Sequence, residues 1–186
     1  TAHEIVDATR RAIRDSAPGE LRYVEVASGG SKYPVPFVYP EMAELLAALG
    51  RAGFPVWIVS ASNAWSVRLV VRELLNPALE ALGGVPIPPD RVVGVSTLVE
   101  DRQGRWWKDS LRVRTDPAYA RLDDELLAGL RLTGRLSFPV PTYSGKVAAL
   151  LDFVGARPWL CGGDSPGDHP MLAFAERRLW ISRVEK

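Results

Sequence analysis

The sequence predicts an α/β protein built on a doubly wound parallel sheet, and three observations carry that expectation. Apolar runs suited to buried strands recur at residues 54–59, 91–95 and 159–161. Stretches with apolar residues at helical spacing lie between them, so each pair of strands is joined by a crossover of the kind parallel sheets need. The first and last runs stop at Ser60-Ala61-Ser62-Asn63 and at Gly162-Gly163-Asp164-Ser165. Small, hydroxyl and acidic residues at the carboxyl ends of strands are where open α/β sheets bind ligands.

Each element follows from local pattern. Residues 3–15 set Ile5, Ala8, Ala12 and Ile13 on one helical face, with a stop near Pro18-Gly19. Residues 19–38, rich in Gly and Pro, read as loop. A helix from Glu41 carries Met42, Leu45, Leu46 and Leu49, and Gly50 and Gly53 end it before the strand at 56–59. The next helix, residues 65–75, ends at Asn76-Pro77, and Arg91-Val92-Val93-Gly94-Val95 is a second buried parallel strand. Residues 99–107 suit a hairpin around Gln103-Gly104, Tyr119, Leu122, Leu126, Leu127 and Leu130 a short helix, and residues 132–136 a return strand. Lys146 opens a helix with Val147, Leu150, Leu151 and Val154. After the Trp159-Leu160-Cys161 strand, Pro166 suits the first turn of a helix continued by Met171, Leu172 and Ala175.

Composition excludes several classes of function. The chain has 186 residues, 47% hydrophobic and 24% charged, enough for one sizeable core. A formal charge of +1 with both signs mixed provides no concentrated basic face, so nucleic acid is not an expected partner. No apolar run approaches the length of a membrane span, and no membrane partner is expected. Cys161, the single cysteine, falls in a buried strand run and reads as an inert core thiol. The compartment is open, with a cytoplasmic location favoured, and no motif specifies an oligomeric state.

The chemistry-bearing residues sit where strands hand over to helices. Tyr143-Ser144-Gly145-Lys146 puts a lysine at a helix start, and Asp164 and Asp168 stand one helical turn apart after the last strand run. A lysine beside carboxylates can neutralise charge on a transferring phosphoryl group, and a hard divalent cation such as Mg²⁺ takes one or two carboxylates plus phosphate and water. Each residue also has a bland reading: Lys146 as a solvated lysine, Ser60 as a cap for a helix starting near Asn63, the aspartates as helix-start acids favoured by the macrodipole. Gly163-Asp164-Ser165-Pro166-Gly167 matches the GxSxG nucleophile elbow, which makes Ser165 a rival serine-hydrolase nucleophile. That order needs an acid and then a histidine downstream, and the only later histidine is His169, four residues on. Gly145-Lys146 is no P-loop, because residue 140 is Val. Trp65, Trp106, Trp107 and Tyr143 are core or hairpin aromatics, with an aromatic wall for a quaternary ammonium as the alternative.

The order hydroxyl, lysine, paired aspartates resembles motifs two, three and four of the haloacid dehalogenase superfamily, with spacing most like its phosphoserine and phosphocholine phosphatase branch. The resemblance runs from an N-terminal cap-like helical segment, residues 1–37, through an α/β core at 38–186 with a β-hairpin and helix insertion at about 96–144. It implies a magnesium-dependent phosphomonoester hydrolase acting on a small phosphorylated substrate. Ser60 and Lys146, with Ala61 and Ser62, would hold the phosphoryl oxygens; Asp164 would bind the metal; Asp168 would ligate it or fix Lys146 from behind. The family's first motif, DxDx(T/V), which carries the nucleophilic aspartate, is not in these residues: Asp7 is followed by Ala8-Thr9-Arg10 in a helical pattern, and Asp15 by Ser16-Ala17-Pro18. The expectation is therefore an apolar strand ending in aspartate within about 30 residues before Thr1, from typical strand and loop lengths. The alternative is a non-catalytic scaffold of the same fold that binds a phosphorylated ligand or a protein partner.

Overall fold

Thr1 starts the first helix, α1 (Ala2–Ile13), through a capping box with Glu4 in the computed structural model, which describes residues 1–17, 19–25, 30 and 32–182. The expected stop at Pro18 lies outside the described residues. The buried stripe of α1 is Ala2, Val6 and Ile13, with the Thr9 hydroxyl 2.8 Å from that of Ser66. Ala8 and Ala12, expected on the inner face, are exposed. The correction has a simple cause: burying valine removes more apolar area from water than burying alanine, so the helix turns to bring Val6 inward.

Residues 19–38 are not all loop. Tyr23–Glu25 (β1) and Lys32–Pro34 (β2) pair antiparallel, Val24 opposite Tyr33. The Gly and Pro content conceals two short strand-forming segments, Tyr23-Val24 and Tyr33, with Pro34 at the end of its strand. Helix α2 (Pro40–Arg51) begins with Pro40 in its first turn and buries Ala43 and Ala47.

Strand β3 (Ile58–Asn63) pairs in parallel with β4 (Val92–Val95), as expected for residues 91–95. Its ladder starts later than the apolar run and continues through Ser60-Ala61-Ser62, with an irregularity between Val59 and Asn63. Ile58 packs toward the cluster of Ala43, Ala47, Leu79 and Val92, whereas Val59 packs toward Leu150, Cys161 and Met171. Successive strand residues point to opposite faces, so β3 has helices on both sides.

The helix after β3 does not end at Asn76-Pro77. Helix α3 (Ala64–Val70) runs into a π-helical turn (Val71–Leu75) and then α4 (Asn76–Ala81). Pro77 occupies the first turn of α4, where its missing N–H costs no internal bond, and the π turn accommodates the ring. Asn76 faces away from its own helix and exchanges two hydrogen bonds with the Ile87 backbone, at 2.8 and 3.0 Å.

The region expected to be an insertion carries a three-stranded antiparallel sheet in the order β6-β5-β7, made of Thr97–Glu100 (β5), Trp106–Trp107 (β6) and Arg131–Leu136 (β7). The hairpin and return strand stand where the pattern put them. The single helix expected around Tyr119 to Leu130 is two, α6 (Pro117–Ala120) and α7 (Asp124–Ala128), preceded by α5 (Asp109–Thr115). Asp116 and Asp123 each cap a new start. This unit shares a core with α1 and α3 through Val6, Trp65, Leu69, Val99, Tyr119 and Leu127.

Helix α8 (Ser144–Phe153), strand β8 (Leu160–Gly163), a 3₁₀ turn (Pro166–Asp168), helix α9 (His169–Phe174) and strand β9 (Arg177–Trp180) complete the chain, with β8 and β9 parallel. Among the described residues the parallel strands form two pairs, β3-β4 and β8-β9, beside the antiparallel sheets. The architecture is therefore mixed α/β rather than one continuous parallel sheet, and β3 and β8 each keep one edge without a strand partner. Among the described residues no helix is long and apolar enough to cross a membrane.

Candidate active site

Three segments meet at the carboxyl ends of β3 and β8. Lys146 lies in the first turn of α8 and is 7% exposed; Asp168, at the end of the 3₁₀ turn, is 5% exposed. The Lys146 ammonium donates to Asp168 Oδ1 at 2.6 Å and to the Val59 carbonyl at 3.0 Å. One buried cation thus ties its helix to a strand residue 87 positions earlier and to a carboxylate 22 positions later in sequence.

The other carboxylate oxygen of Asp168 accepts three hydrogen bonds, from the Asp164 and Ser165 amides at 3.2 and 3.1 Å and from the Ser165 hydroxyl at 2.8 Å. Gly163 makes this closure possible: a Cβ there would stand 2.5 Å from the Asp168 Cβ, far inside contact distance. Gly145 is equally constrained, since a Cβ would meet the Val140 carbonyl oxygen at 1.9 Å. Burial alone would raise the Asp168 pKa, but the hydrogen bonds from Lys146 and Ser165 and the lysine charge outweigh it and hold the carboxyl below its ordinary value.

That shift fixes a pH dependence. A carboxylate whose folded pKa is depressed contributes stability that is present above the unfolded value, about 3.9, and lost as pH falls through the folded value. Thermal unfolding from pH 6 down to 2 should therefore show a fall in Tm below pH 4 that Asp168→Asn removes in part. An identical acid profile in wild type and variant would show that the Lys146–Asp168 pair contributes nothing to it.

The remaining expected residues are placed as follows. The Ser60 hydroxyl accepts from the Ser62 amide at 3.1 Å, while Ala61 and Ser62 are exposed. Capping of α3 falls to Asn63, whose side chain accepts from the Trp65 and Ser66 amides, and not to Ser60. Asp164 is half-buried directly after β8. Ser165 caps the 3₁₀ turn and its hydroxyl is directed to a carboxylate rather than to an imidazole; the His169 ring instead lies 5.1 Å from that of Trp180. The elbow motif thus has its serine but no base on it.

The aromatic wall does not assemble. Trp65 is fully buried and donates to the Tyr119 hydroxyl at 2.9 Å; Trp107 is half-buried and donates to Asp101 at 3.0 Å; Trp106 is exposed beneath Arg135, 5.1 Å from ring centre to guanidinium. The Tyr143 carbonyl accepts from the Lys146 amide at 3.0 Å. Cys161 is buried, and burial pushes its thiol pKa up, as suits an inert core residue.

Sequence reasoning missed a buried cluster below this site. Arg68 on α3 and Asp109 on α5 form a bidentate ion pair, Nη1 to Oδ1 at 2.8 Å and Nη2 to Oδ2, with the Tyr119 hydroxyl donating to Oδ1 at 2.6 Å. Separated by 41 residues, the partners give no local signal.

Among the described residues no group of three or more His, Cys, Asp or Glu side chains converges as a metal cage. Asp164 directly follows β8, and Asp168, which accepts from Lys146, Ser165 and the Asp164 amide, closes the turn beyond it. One carboxylate suits magnesium, which keeps several waters and takes substrate oxygens.

A search of curated proteins returned no match to this chain. Over residues 2–173 it matches the family profile of haloacid dehalogenase-like hydrolases. Since that match spans nearly the whole sequence, the chain belongs to the haloacid dehalogenase-like hydrolase family.

Proposed function

We propose that this hydrolase is a magnesium-dependent phosphatase acting on a small phosphomonoester. The observation that carries the reading is the Lys146–Asp168–Val59 junction, a buried ammonium bonded to the residue before Ser60 in sequence and to the carboxylate four residues after Asp164. An ammonium has three donors; two are taken by the carbonyl and the carboxylate, which leaves a third for a phosphoryl oxygen. In a site this poor in water the charge is worth more than at the surface. Ser60 and the adjacent exposed residues Ala61 and Ser62 offer further donors to the same group. Asp164 would hold Mg²⁺, which would neutralise charge on the phosphoryl group. Asp168 acts on Lys146 and on the loop after β8, a positioning role.

The resemblance implies a nucleophilic aspartate that these residues do not supply, and among the described residues β3 and β8 each have an edge without a strand partner, where the strand carrying it would fit in a doubly wound sheet. The aspartate oxygen would bond to phosphorus as the ester P–O bond breaks and the leaving oxygen takes a proton; water would then release phosphate from the aspartyl-phosphate. The alternative of a non-catalytic scaffold is judged by the same experiment. The full-length protein should hydrolyse members of a phosphomonoester panel only with Mg²⁺, be inhibited by vanadate, and leave Ser165 unlabelled by a fluorophosphonate. No turnover of any ester would favour the scaffold, and stoichiometric labelling of Ser165 would favour a serine hydrolase.

A further inference from the structure

The segment that delivers Lys146 carries an unexplained expense. Among the described residues two non-glycine residues have positive φ: Leu122 at 55° and Tyr143 at 47° with ψ −122°. Leu122 is 2% exposed, so the packing of its side chain offsets the strain of its backbone. Tyr143 is 64% exposed and gains no such compensation. Its conformation is close to the first central position of a type II′ turn, which glycine fills at little steric cost and a tyrosine does not. Strain of this kind persists where the surroundings over-determine the backbone, and it concentrates at functional sites.

The surroundings do so here. Pro141 is fully buried, the Thr142 amide donates to the Val140 carbonyl and the Gly145 amide to the Thr142 carbonyl, each at 2.8 Å, and the Tyr143 carbonyl accepts from the Lys146 amide at 3.0 Å. A rigid loop therefore ends in the lysine. At its other end Phe138 is 71% exposed; with Tyr143 it gives the two most exposed large apolar side chains among the described residues. A fixed backbone that holds two aromatic rings in water, one of them at a conformational penalty, does not serve the core.

We propose that Tyr143 determines substrate specificity by contacting the carbon skeleton of the leaving group, and favours planar or apolar phosphomonoesters over small polar ones. The inference rests on the phosphatase reading. A phosphoryl group at Lys146 puts its ester substituent outward, toward solvent, and Tyr143 is the residue at the start of that same turn. Aromatic contact of this kind strengthens binding of a ring about 3- to 10-fold.

Kinetics of the full-length protein with phenyl phosphate and glycerol phosphate test this, using Tyr143→Gly and Tyr143→Phe. The glycine variant should raise KM for phenyl phosphate by about 3- to 10-fold, leave KM for glycerol phosphate and both kcat values nearly unchanged, and raise Tm by a few degrees through release of strain. The phenylalanine variant should keep the wild-type preference. Equal effects on both substrates, or a lowered Tm in the glycine variant, would overturn the proposal, because they would mean that Tyr143 serves Lys146 or the fold. Calorimetric binding of phenylphosphonate against methylphosphonate needs no turnover. The phosphatase reading fails only if no ester of the wider panel is turned over; even then a phenyl preference lost in Tyr143→Gly would support the contact, and no phenyl preference in the wild type would refute it.

Discussion

Asp164→Asn should cost the full-length protein its magnesium-dependent turnover, by at least about a hundredfold, with little change in Tm. The asparagine keeps the shape of the side chain and removes the charge that a hard cation needs. Asp164 is half-buried directly after the strand, and asparagine matches it in size and shape. Asp168→Asn should behave differently. It removes the negative charge beside the buried Lys146 ammonium and turns one of the two acceptor oxygens into a donor, so the bonds to Lys146 and to the Asp164 and Ser165 amides cannot all be kept and Tm falls together with activity, while the magnesium concentration at half-maximal rate among surviving activity shifts little. Titrating magnesium into both variants separates the roles. Full activity in Asp164→Asn would remove the metal assignment, and a raised magnesium requirement confined to Asp168→Asn would transfer it.

The difference between those two aspartates was only half legible in the sequence. Their residue types and one-turn spacing after an apolar run marked both as candidates, as did the lysine at a helix start. Which oxygen meets which donor depends on the turn that Gly163 permits, and a 2.5 Å approach to Asp168 leaves no trace in composition. The fold divides along the same line. Strand β4 and the β5-β6 hairpin were readable because their patterns are local and uninterrupted. The inner face of α1 was not, because alanines fit either face and the choice fell to Val6. Proline at 77 signals a stop by local pattern, yet the π turn before it and the Asn76 bonds to Ile87 carry the helix on. In each failure a contact distant in sequence decided between options that were locally equal.

The largest such contact yields the second prediction, a loss of stability. Asp109→Ala should destabilise the protein by about 3–5 kcal/mol, because it leaves the Arg68 guanidinium buried without its partner. Arg68 is 3% exposed and Asp109 4%, so water cannot substitute. Burial works to lower the Arg68 pKa, but the Asp109 charge and hydrogen bonds outweigh it and raise it, so the arginine cannot escape by losing its proton. The Tyr119 hydroxyl loses its acceptor in the same step, and Trp65 donates to that hydroxyl. With a total stability of about 5–15 kcal/mol, the loss is a large fraction of the margin. In Tm it corresponds to roughly 6–20 °C at this chain length. The joint replacement Arg68→Met with Asp109→Leu separates charge from packing: it removes both ions and keeps apolar volume between α3 and α5, and it should recover most of the lost Tm. Calorimetry of the three proteins decides the matter. A double variant as unstable as Asp109→Ala would mean that the geometry of the bidentate pair, rather than the cost of an orphaned charge, holds the insertion to α3, and an Asp109→Ala variant with wild-type Tm would mean that the two helices need no ionic link at all.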